Sequence, residues 1–251
     1  MRRGAARWWI AGSTAGLIGL ALLQAAPAGA EPEFTIYYHE RAPYSTKQPD
    51  GSVRGVLADI TDEIMKTAGI AFRWRDLPSA RQIEVIKRND APACAIGWFK
   101  RPDREAFAKF TAPIYHDPPT VVVARADDGR FAGTPTIDTL FHDKSLLLLI
   151  KTGYSYGAEI DAKMASEAPN LRRDPSDNRA MVVMLSRKRV DYMIMAEEEA
   201  KVLLADPELG KGIAIYHLGS APPGELRYLM CSRSVPDALI ARINQAIQPP
   251  Q

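Results

Sequence analysis

The chain has 251 residues and a net charge of +2, and 25% of its residues are charged. Its first 30 residues contain three arginines and no acid, so the remaining 221 residues carry a net charge of about −1. This balance excludes nucleic-acid binding through a strongly basic surface. After Ala30 no apolar run approaches the roughly 20 residues of a membrane-spanning helix, so we expect a protein that is not embedded in a membrane.

Residues 1–30 have the order of a secretory signal peptide. Arg2, Arg3 and Arg7 give a positive start, an apolar stretch follows over 8–23, and the small residues of 28–30 form a cleavage site. The apolar stretch is too short and wrongly flanked for a membrane anchor. We therefore predict export and cleavage; the alternative is a retained N-terminal helix.

The next part of the chain alternates between strand and helix patterns. Strands are predicted at 34–38, 70–74 and 93–96, and helices at 57–67 and 79–88. In the first helix Leu57, Ile60 and Ile64 recur on one face of a 3.6-residue repeat. The βαβαβ order predicts a parallel sheet with helical crossovers.

A second unit of the same kind follows the loop at 125–133. Strands are predicted at 146–150 and 190–195, and helices before 164, at 180–185 and from 197 onward. The five apolar residues of 146–150 are typical of a strand that is buried on both faces. A glycine-flanked loop at 151–157 follows that strand.

Two extended segments are expected to join the units. Residues 120–124 leave the first unit, 226–231 return to it, and a helix at 236–247 ends the chain. The predicted fold class is α/β, with two lobes of parallel-type sheets flanked by helices and a two-strand hinge. The predicted lobes are 31–122 plus 225–251, and 123–224.

Several short motifs occur in an order that is found in one family. They are Ala42-Pro43-Tyr44, the helix opening at 55–60, Gly97 followed by 101–104, and the segments 110–115, 151–153 and 189–191. Together they resemble the bacterial extracellular solute-binding proteins of family 3, over nearly all of residues 33–248.

The resemblance implies a periplasmic-binding-protein fold of type II that closes on a small solute. It implies a periplasmic location and delivery of the solute to a membrane permease complex. The family serves the uptake of polar amino acids. We expect a monomer that binds no nucleic acid, has no cofactor or metal site, and is not an enzyme.

The resemblance also assigns residues to a ligand site. Arg104 matches the family arginine that clamps a ligand carboxylate, a task that suits the two parallel donors of a guanidinium. Gly97 is expected to leave its backbone open to the ligand, and Tyr44 matches an aromatic residue that packs over it. The second lobe is expected to contribute Lys151, Tyr154 and Ser155, at the carboxyl end of a strand.

Two positions depart from the amino acid pattern of the family. Phe99 stands in place of a small hydroxyl residue, and Ala196 stands in place of the Asp that holds the ligand ammonium. Glu197 is a candidate for that charge, although an acid also stabilises a helix start. Trp98 is expected to form a pocket wall. The expected ligand is therefore a small polar solute with a carboxylate, and not necessarily an amino acid.

Cys94 and Cys231 are the only cysteines of the chain. In the family the strands that carry them are neighbours, so the resemblance implies a disulfide within the first lobe. The alternative is two buried thiols.

Two other functions stay open. One is a sensory receptor of the same fold that docks on a separate partner. The other is a dehydratase-like enzyme that would use His39, Glu40, His116 or Glu197 as acid or base. No nucleophile or metal-binding motif accompanies these four residues.

Overall fold

The computed structural model describes residues 34–248, and the predicted signal peptide lies outside them. Two large mixed sheets and one two-stranded sheet make up the β-structure of this part. None of its helices has both the length and the apolar character that crossing a bilayer requires.

The elements between residues 34 and 248 are numbered in chain order. The strands are β1 (Phe34–Tyr38), β2 (Thr46–Lys47), β3 (Val53–Arg54), β4 (Phe72–Asp76), β5 (Ala93–Phe99), β6 (Ala108–Phe110), β7 (Tyr115–His116), β8 (Thr120–Arg125), β9 (Leu148–Lys151), β10 (Leu171–Asp174), β11 (Tyr192–Ala196), β12 (Ile213–His217) and β13 (Leu226–Ser232). The helices are α1 (Val56–Thr67), α2 (Ser79–Arg88), α3 (Pro102–Glu105), α4 (Ile137–His142), α5 (Ala158–Glu167), α6 (Asn178–Ser186), α7 (Glu197–Leu204), α8 (Pro207–Gly210) and α9 (Asp237–Ala246).

The first sheet has the strand order β4-β1-β5-β13-β6, and β7 also pairs with β13. Strand β1 runs parallel to β4 and β5, and α1 and α2 form the two crossovers that the sequence predicts. Helix α1 buries Leu57, Thr61 and Ile64, which lie on one face because they recur at helical spacing. Strand β13 is antiparallel to β5, so the sheet is mixed.

The second sheet has the order β10-β9-β11-β8-β12. Strand β9 is parallel to β10 and β11, whereas β8 is antiparallel to β11 and β12. Leu148 and Ile150 pack in one apolar cluster and Leu149 packs in another. Because side chains alternate between the faces of a strand, this sheet is covered on both sides, as its apolar runs predict.

Two segments connect the sheets: residues 117–119 lead from β7 to β8, and 218–225 lead from β12 to β13. The backbone N–H of Asp117 donates to the carbonyl of Glu225 at 2.9 Å. A Cβ atom on Gly224 would lie 1.6 Å from the carbonyl oxygen of Asp117. The two segments are therefore in direct backbone contact.

Each sheet and its helices form one lobe, so the predicted two-lobed α/β architecture is confirmed. Strand β8 pairs with the second sheet from Thr120 onward. Residues 120–122, which the sequence places in the first lobe, thus run with the second sheet. The lobe boundaries stay a prediction, and the pairing of β8 favours a first boundary within 117–119.

The structure contains a disulfide between Cys94 and Cys231. The two residues lie opposite each other on β5 and β13, and both side chains are fully buried. The bond joins the last strand of the first βαβαβ unit to the strand that returns from the second lobe.

Candidate functional site

Two adjoining cavities lie where strands of both sheets end. The carboxyl ends of β1, β5, β9 and β11 lead into the residues that line them, which is where α/β sheets bind ligands. Both cavities are lined by Arg41, Phe99, Tyr154, Ser155 and Arg227.

We name each cavity after a residue that lines it and does not line the other. The Arg104 cavity is further lined by His39, Ser79, Ile96, Gly97, Trp98, Arg104 and Gly153. The Glu199 cavity is further lined by Asp117, Thr120, Tyr156, Asn178, Met181, Met193, Ile194, Met195, Ala196, Glu199 and Glu225.

Arg104 lies on the short helix α3 and is only 6% exposed. Its guanidinium carbon lies 4.7 Å from the ring centroid of Trp98, and its Nη1 donates to the carbonyl of Phe99 at 2.9 Å. Within residues 34–248, no carboxylate forms an ion pair with it. Burial, and then the nearby charge of Arg101, lowers the pKa of Arg104 to about 10, so the side chain stays charged at neutral pH.

Strand β5 carries three of the predicted site residues, Gly97, Trp98 and Phe99. The indole N–H of Trp98 donates to Gln82 at 2.9 Å, which fixes the ring beneath Arg104. Gly97 has φ +75°, and a Cβ atom there would lie 2.7 Å from a methyl carbon of Leu57. The position therefore requires glycine for conformation and for space.

Arg227 from β13 enters the cleft and is already paired. Its Nε donates to Asp117 at 2.5 Å and its Nη1 donates to the carbonyl of Gly97 at 2.8 Å. Its guanidinium carbon lies 4.8 Å from the ring centroids of both Tyr44 and Phe99. The sequence predicts that the backbone at Gly97 is open to a ligand, but its carbonyl accepts a bond from the protein itself.

Tyr44 lies behind the cavities and lines neither of them. It is 1% exposed, and the guanidinium groups of Arg41 and Arg227 each lie 4.8 Å from its ring centroid. Burial raises the pKa of Tyr44 well above its usual value. The structure therefore places Tyr44 as a support for two cleft arginines, not in contact with the cavity.

Arg41 and Glu199 join the two lobes across the cleft. Arg41 follows β1 and Glu199 lies on α7, and the guanidinium donates to both carboxylate oxygens at 2.8 and 2.7 Å. Asn178 also donates to Glu199. Burial is the largest single influence and lowers the pKa of Arg41, but the charge of Glu199, its hydrogen bonds and the nearby tyrosines together outweigh burial and raise the pKa above its usual value.

The loop after β9 brings Tyr154 and Ser155, two residues that the sequence predicts for the ligand site, into the lining of both cavities. The Tyr154 hydroxyl and the His39 ring form a 2.5 Å hydrogen bond between the lobes. Burial lowers the pKa of His39 the most. The positive charges of Arg41, Lys151 and Arg227 add to this effect and bring the pKa to about 3. The imidazole is therefore neutral at physiological pH.

Ser155 lines both cavities, whereas Lys151 lies farther out. The Ser155 hydroxyl donates to Asp161 at 2.5 Å, and Arg101 donates to the same carboxylate at 2.6 Å. The Lys151 ammonium lies 4.7 Å from the ring centroid of Tyr154. Lys151 lines two outer cavities and is absent from the lining of the Arg104 and Glu199 cavities.

Glu197 does not face the cleft in the way that the sequence suggests. Its carboxylate contacts Lys201 at 2.7 Å and His217 at 3.2 Å, and it lines neither cavity. Glu199 is the residue of the acidic run that enters the site. Successive residues on a helix are rotated by about 100°, so positions two apart point nearly opposite ways.

Sequence reasoning missed Arg41, Arg227 and Glu199 as cleft residues. A signal for Arg41 exists, because it follows a predicted parallel strand at the carboxyl edge where ligands bind. Arg227 is the second residue of the predicted return strand, close to the crossing segment. Their acidic partners lie 158 and 110 residues away in the chain, and no local pattern marks such pairs.

Comparison with known proteins gives one family match and many similar structures. The family described as bacterial extracellular solute-binding proteins, family 3, matches residues 35–249. The comparison with curated proteins gave no match.

Three solved structures illustrate the likeness of the fold. An ancestral arginine-binding protein bound to arginine is 15% identical, with 86% of this chain and 90% of that chain covered and a TM-score of 0.68. Holo ArgBP from T. maritima is 17% identical, with coverages of 86% and 88% and a TM-score of 0.67. A histidine kinase sensor domain with similarity to periplasmic binding proteins is 15% identical, with coverages of 86% and 88% and a TM-score of 0.68.

The similarity to these structures shows that the chain has the two-lobed fold of periplasmic binding proteins. The family match covers most of the chain. The chain belongs to the bacterial extracellular solute-binding proteins, family 3.

Proposed function

We propose that the protein captures a small polar solute with a carboxylate group between its two lobes and delivers it to a membrane transporter. One observation carries the proposal. Arg104 is a buried, charged guanidinium that lines a cleft cavity and has no ion-pair partner within residues 34–248. A buried charge without a counter-charge is unfavourable, so a bound carboxylate would stabilise this arrangement.

The setting of Arg104 favours recognition of a carboxylate over general attraction of anions. Trp98 and the Phe99 carbonyl hold the guanidinium in one orientation. A fixed guanidinium can donate two parallel hydrogen bonds to one carboxylate. The role is one of binding: Glu40 accepts a bond from the Lys47 backbone, Glu197 is paired with Lys201, and neither acid lines the Arg104 cavity or the Glu199 cavity.

A membrane transporter is the partner that family membership supports, because the family is one of extracellular solute-binding proteins. We propose that the protein acts as a periplasmic monomer after its signal peptide is removed. The alternative is a receptor that docks on a separate sensor. The similarity of the fold to a histidine kinase sensor domain, at a TM-score of 0.68, is the observation behind that alternative.

A calorimetric binding screen of carboxylic acids, amines and sugars tests the proposal, with Arg104→Ala and Arg88→Ala as paired variants. Arg88 is an exposed arginine of α2 that pairs with Asp90, which makes it a control for the loss of one positive charge. We expect carboxylic acids to bind the unaltered protein and Arg88→Ala alike. Arg104→Ala should lose about 100-fold or more in affinity. Equal binding by Arg104→Ala, or no binding of any carboxylic acid to the unaltered protein, contradicts the proposal.

A further inference from the structure

We propose that the ligand is an organic acid without an α-ammonium group, such as a 2-hydroxy or 2-oxo acid, and not an amino acid. The inference rests on the proposed function, because it takes Arg104 as the group that binds the carboxylate. The remaining lining of the Arg104 cavity then determines which group the ligand can have beside that carboxylate.

The lining of the Arg104 cavity includes three arginines and no acidic residue. In an α-amino acid the ammonium is joined to the carboxylate carbon through a single carbon atom. A carboxylate on Arg104 therefore places the ammonium within the same cavity. There it would be buried next to positive guanidinium groups, with no carboxylate to pair with, and such burial is strongly unfavourable.

The acids of the adjoining Glu199 cavity are already engaged. Both oxygens of Glu199 bind Arg41, and Asp117 binds Arg227 at 2.5 Å. Glu225 accepts from the backbone N–H of Ala158 at 2.6 Å, at the start of α5. Recruiting either paired acid to a ligand ammonium would leave a buried arginine without its partner.

Three further acids lie farther out. Glu40, Asp76 and Asp177 line an outer cavity, and all three residues are exposed to solvent. Water therefore screens their charges, and none of them lines the Arg104 cavity. They do not supply the buried counter-charge that an ammonium beside Arg104 would need.

Neutral polar groups, in contrast, have a partner in the Arg104 cavity. The buried residue Ser79 begins α2 and lines the cavity, and within residues 34–248 its hydroxyl has no hydrogen-bond partner. A hydroxyl can donate to an oxo group or accept from a hydroxyl group. Ile96, Trp98 and Phe99 supply an apolar wall for the rest of the molecule.

Matched ligands that differ in one group test this inference. The amino, hydroxy and oxo acids built on the alanine, leucine and phenylalanine skeletons are titrated into the purified protein by calorimetry. We expect the best hydroxy or oxo acid to bind at least about tenfold more tightly than its amino counterpart. The variant Ser79→Asp adds a carboxylate to the cavity and suits the first turn of a helix. It should reduce that ratio, whereas Ser79→Ala should not favour the amino form.

The outcomes separate the two proposals. Tighter or equal binding of the amino acids overturns the inference and leaves the proposed function in place. If none of the nine acids binds although another carboxylic acid of the screen does, the inference is overturned, and if no carboxylic acid binds at all, the proposed function is overturned with it. A ratio that Ser79→Asp leaves unchanged overturns the placement of the ligand beside Ser79.

Discussion

Arg41 and Glu199 form a bidentate ion pair between the lobes, with N–O distances of 2.8 and 2.7 Å. The Glu199 side chain is 1% exposed and that of Arg41 is 14% exposed. Because water is excluded from the pair, each charge depends on the other for its stability.

Glu199→Gln should therefore destabilise the protein by about 3–5 kcal/mol, because Arg41 is left buried without a counter-charge. Urea denaturation at pH 7 measures the change. Glu197→Gln is the matched control on the same helix, since its pair with Lys201 is at the surface, and it should cost less than about 1 kcal/mol. If the two variants lose the same stability, the buried pair of Glu199 with Arg41 contributes no more than the surface pair of Glu197 with Lys201.

The pH dependence of stability should depend on His39. Burial and nearby positive charges lower its pKa to about 3, whereas the unfolded value is 6.5. The unfolded chain thus binds a proton that the folded protein does not, so stability is full above pH 6.5 and is lost as the pH falls towards 3. At pH 5 the loss is about 2 kcal/mol relative to neutral pH.

His39→Gln keeps a hydrogen-bonding side chain beside Tyr154 but cannot titrate. Its free energy of unfolding should vary less between pH 7 and pH 5 than that of the unaltered protein, by the same 2 kcal/mol or so. Urea denaturation at both pH values measures the difference. If the two proteins show the same change with pH, His39 is not the group responsible.

The disulfide between Cys94 and Cys231 joins residues that are 137 positions apart. Its loss frees a long loop in the unfolded chain, so Cys94→Ala combined with Cys231→Ala should lower stability by about 2–5 kcal/mol. Reducing agent should destabilise the unaltered protein and leave the double variant unchanged. A thiol assay on the denatured, unreduced protein should find no free thiol, and finding two would contradict the bond.

The elements that position the site could largely be predicted from the sequence. The apolar spacing predicts a helix over 57–67, and α1 spans Val56–Thr67. Local sequence patterns predict the end of a strand less well where the strand pairs with a segment that is far away in the chain. Strand β5 continues to Phe99, three residues beyond the predicted end at 96, because Trp98 and Phe99 pair with β13.

The side-chain partners in the cleft were harder to predict than its strands. Glu199 and Arg41 meet only because two sheets bring α7 and the loop after β1 together. Periodicity reports which face of one element is buried, and carries no information about contacts between elements. Ser155, in contrast, is predicted from a local signal, its place in the loop after a buried strand. This signal has a general reason, because α/β sheets bind ligands at the carboxyl ends of their strands.

Gly224→Ala tests the contact between the connecting segments. The added Cβ atom would lie 1.6 Å from the Asp117 carbonyl oxygen, so the backbone must move. We expect a loss of about 2 kcal/mol or more in stability. Gly129→Ala is the control, because no atom from elsewhere in the described structure lies within 4 Å of its added Cβ atom, and it should change stability by less than about 1 kcal/mol. Equal melting temperatures of the two variants would contradict the close contact.

The same backbone contact has a consequence for how the lobes can move. Two separate tethers would permit twisting and sliding, whereas the bond between Asp117 and Glu225 ties the two connecting segments together. In the hinge motion that we propose, this bond would favour rotation about one axis, and few orientations would be available to an open form. Less orientational entropy is lost when the lobes close, so loosening the pivot should weaken ligand affinity without altering any residue that the ligand contacts.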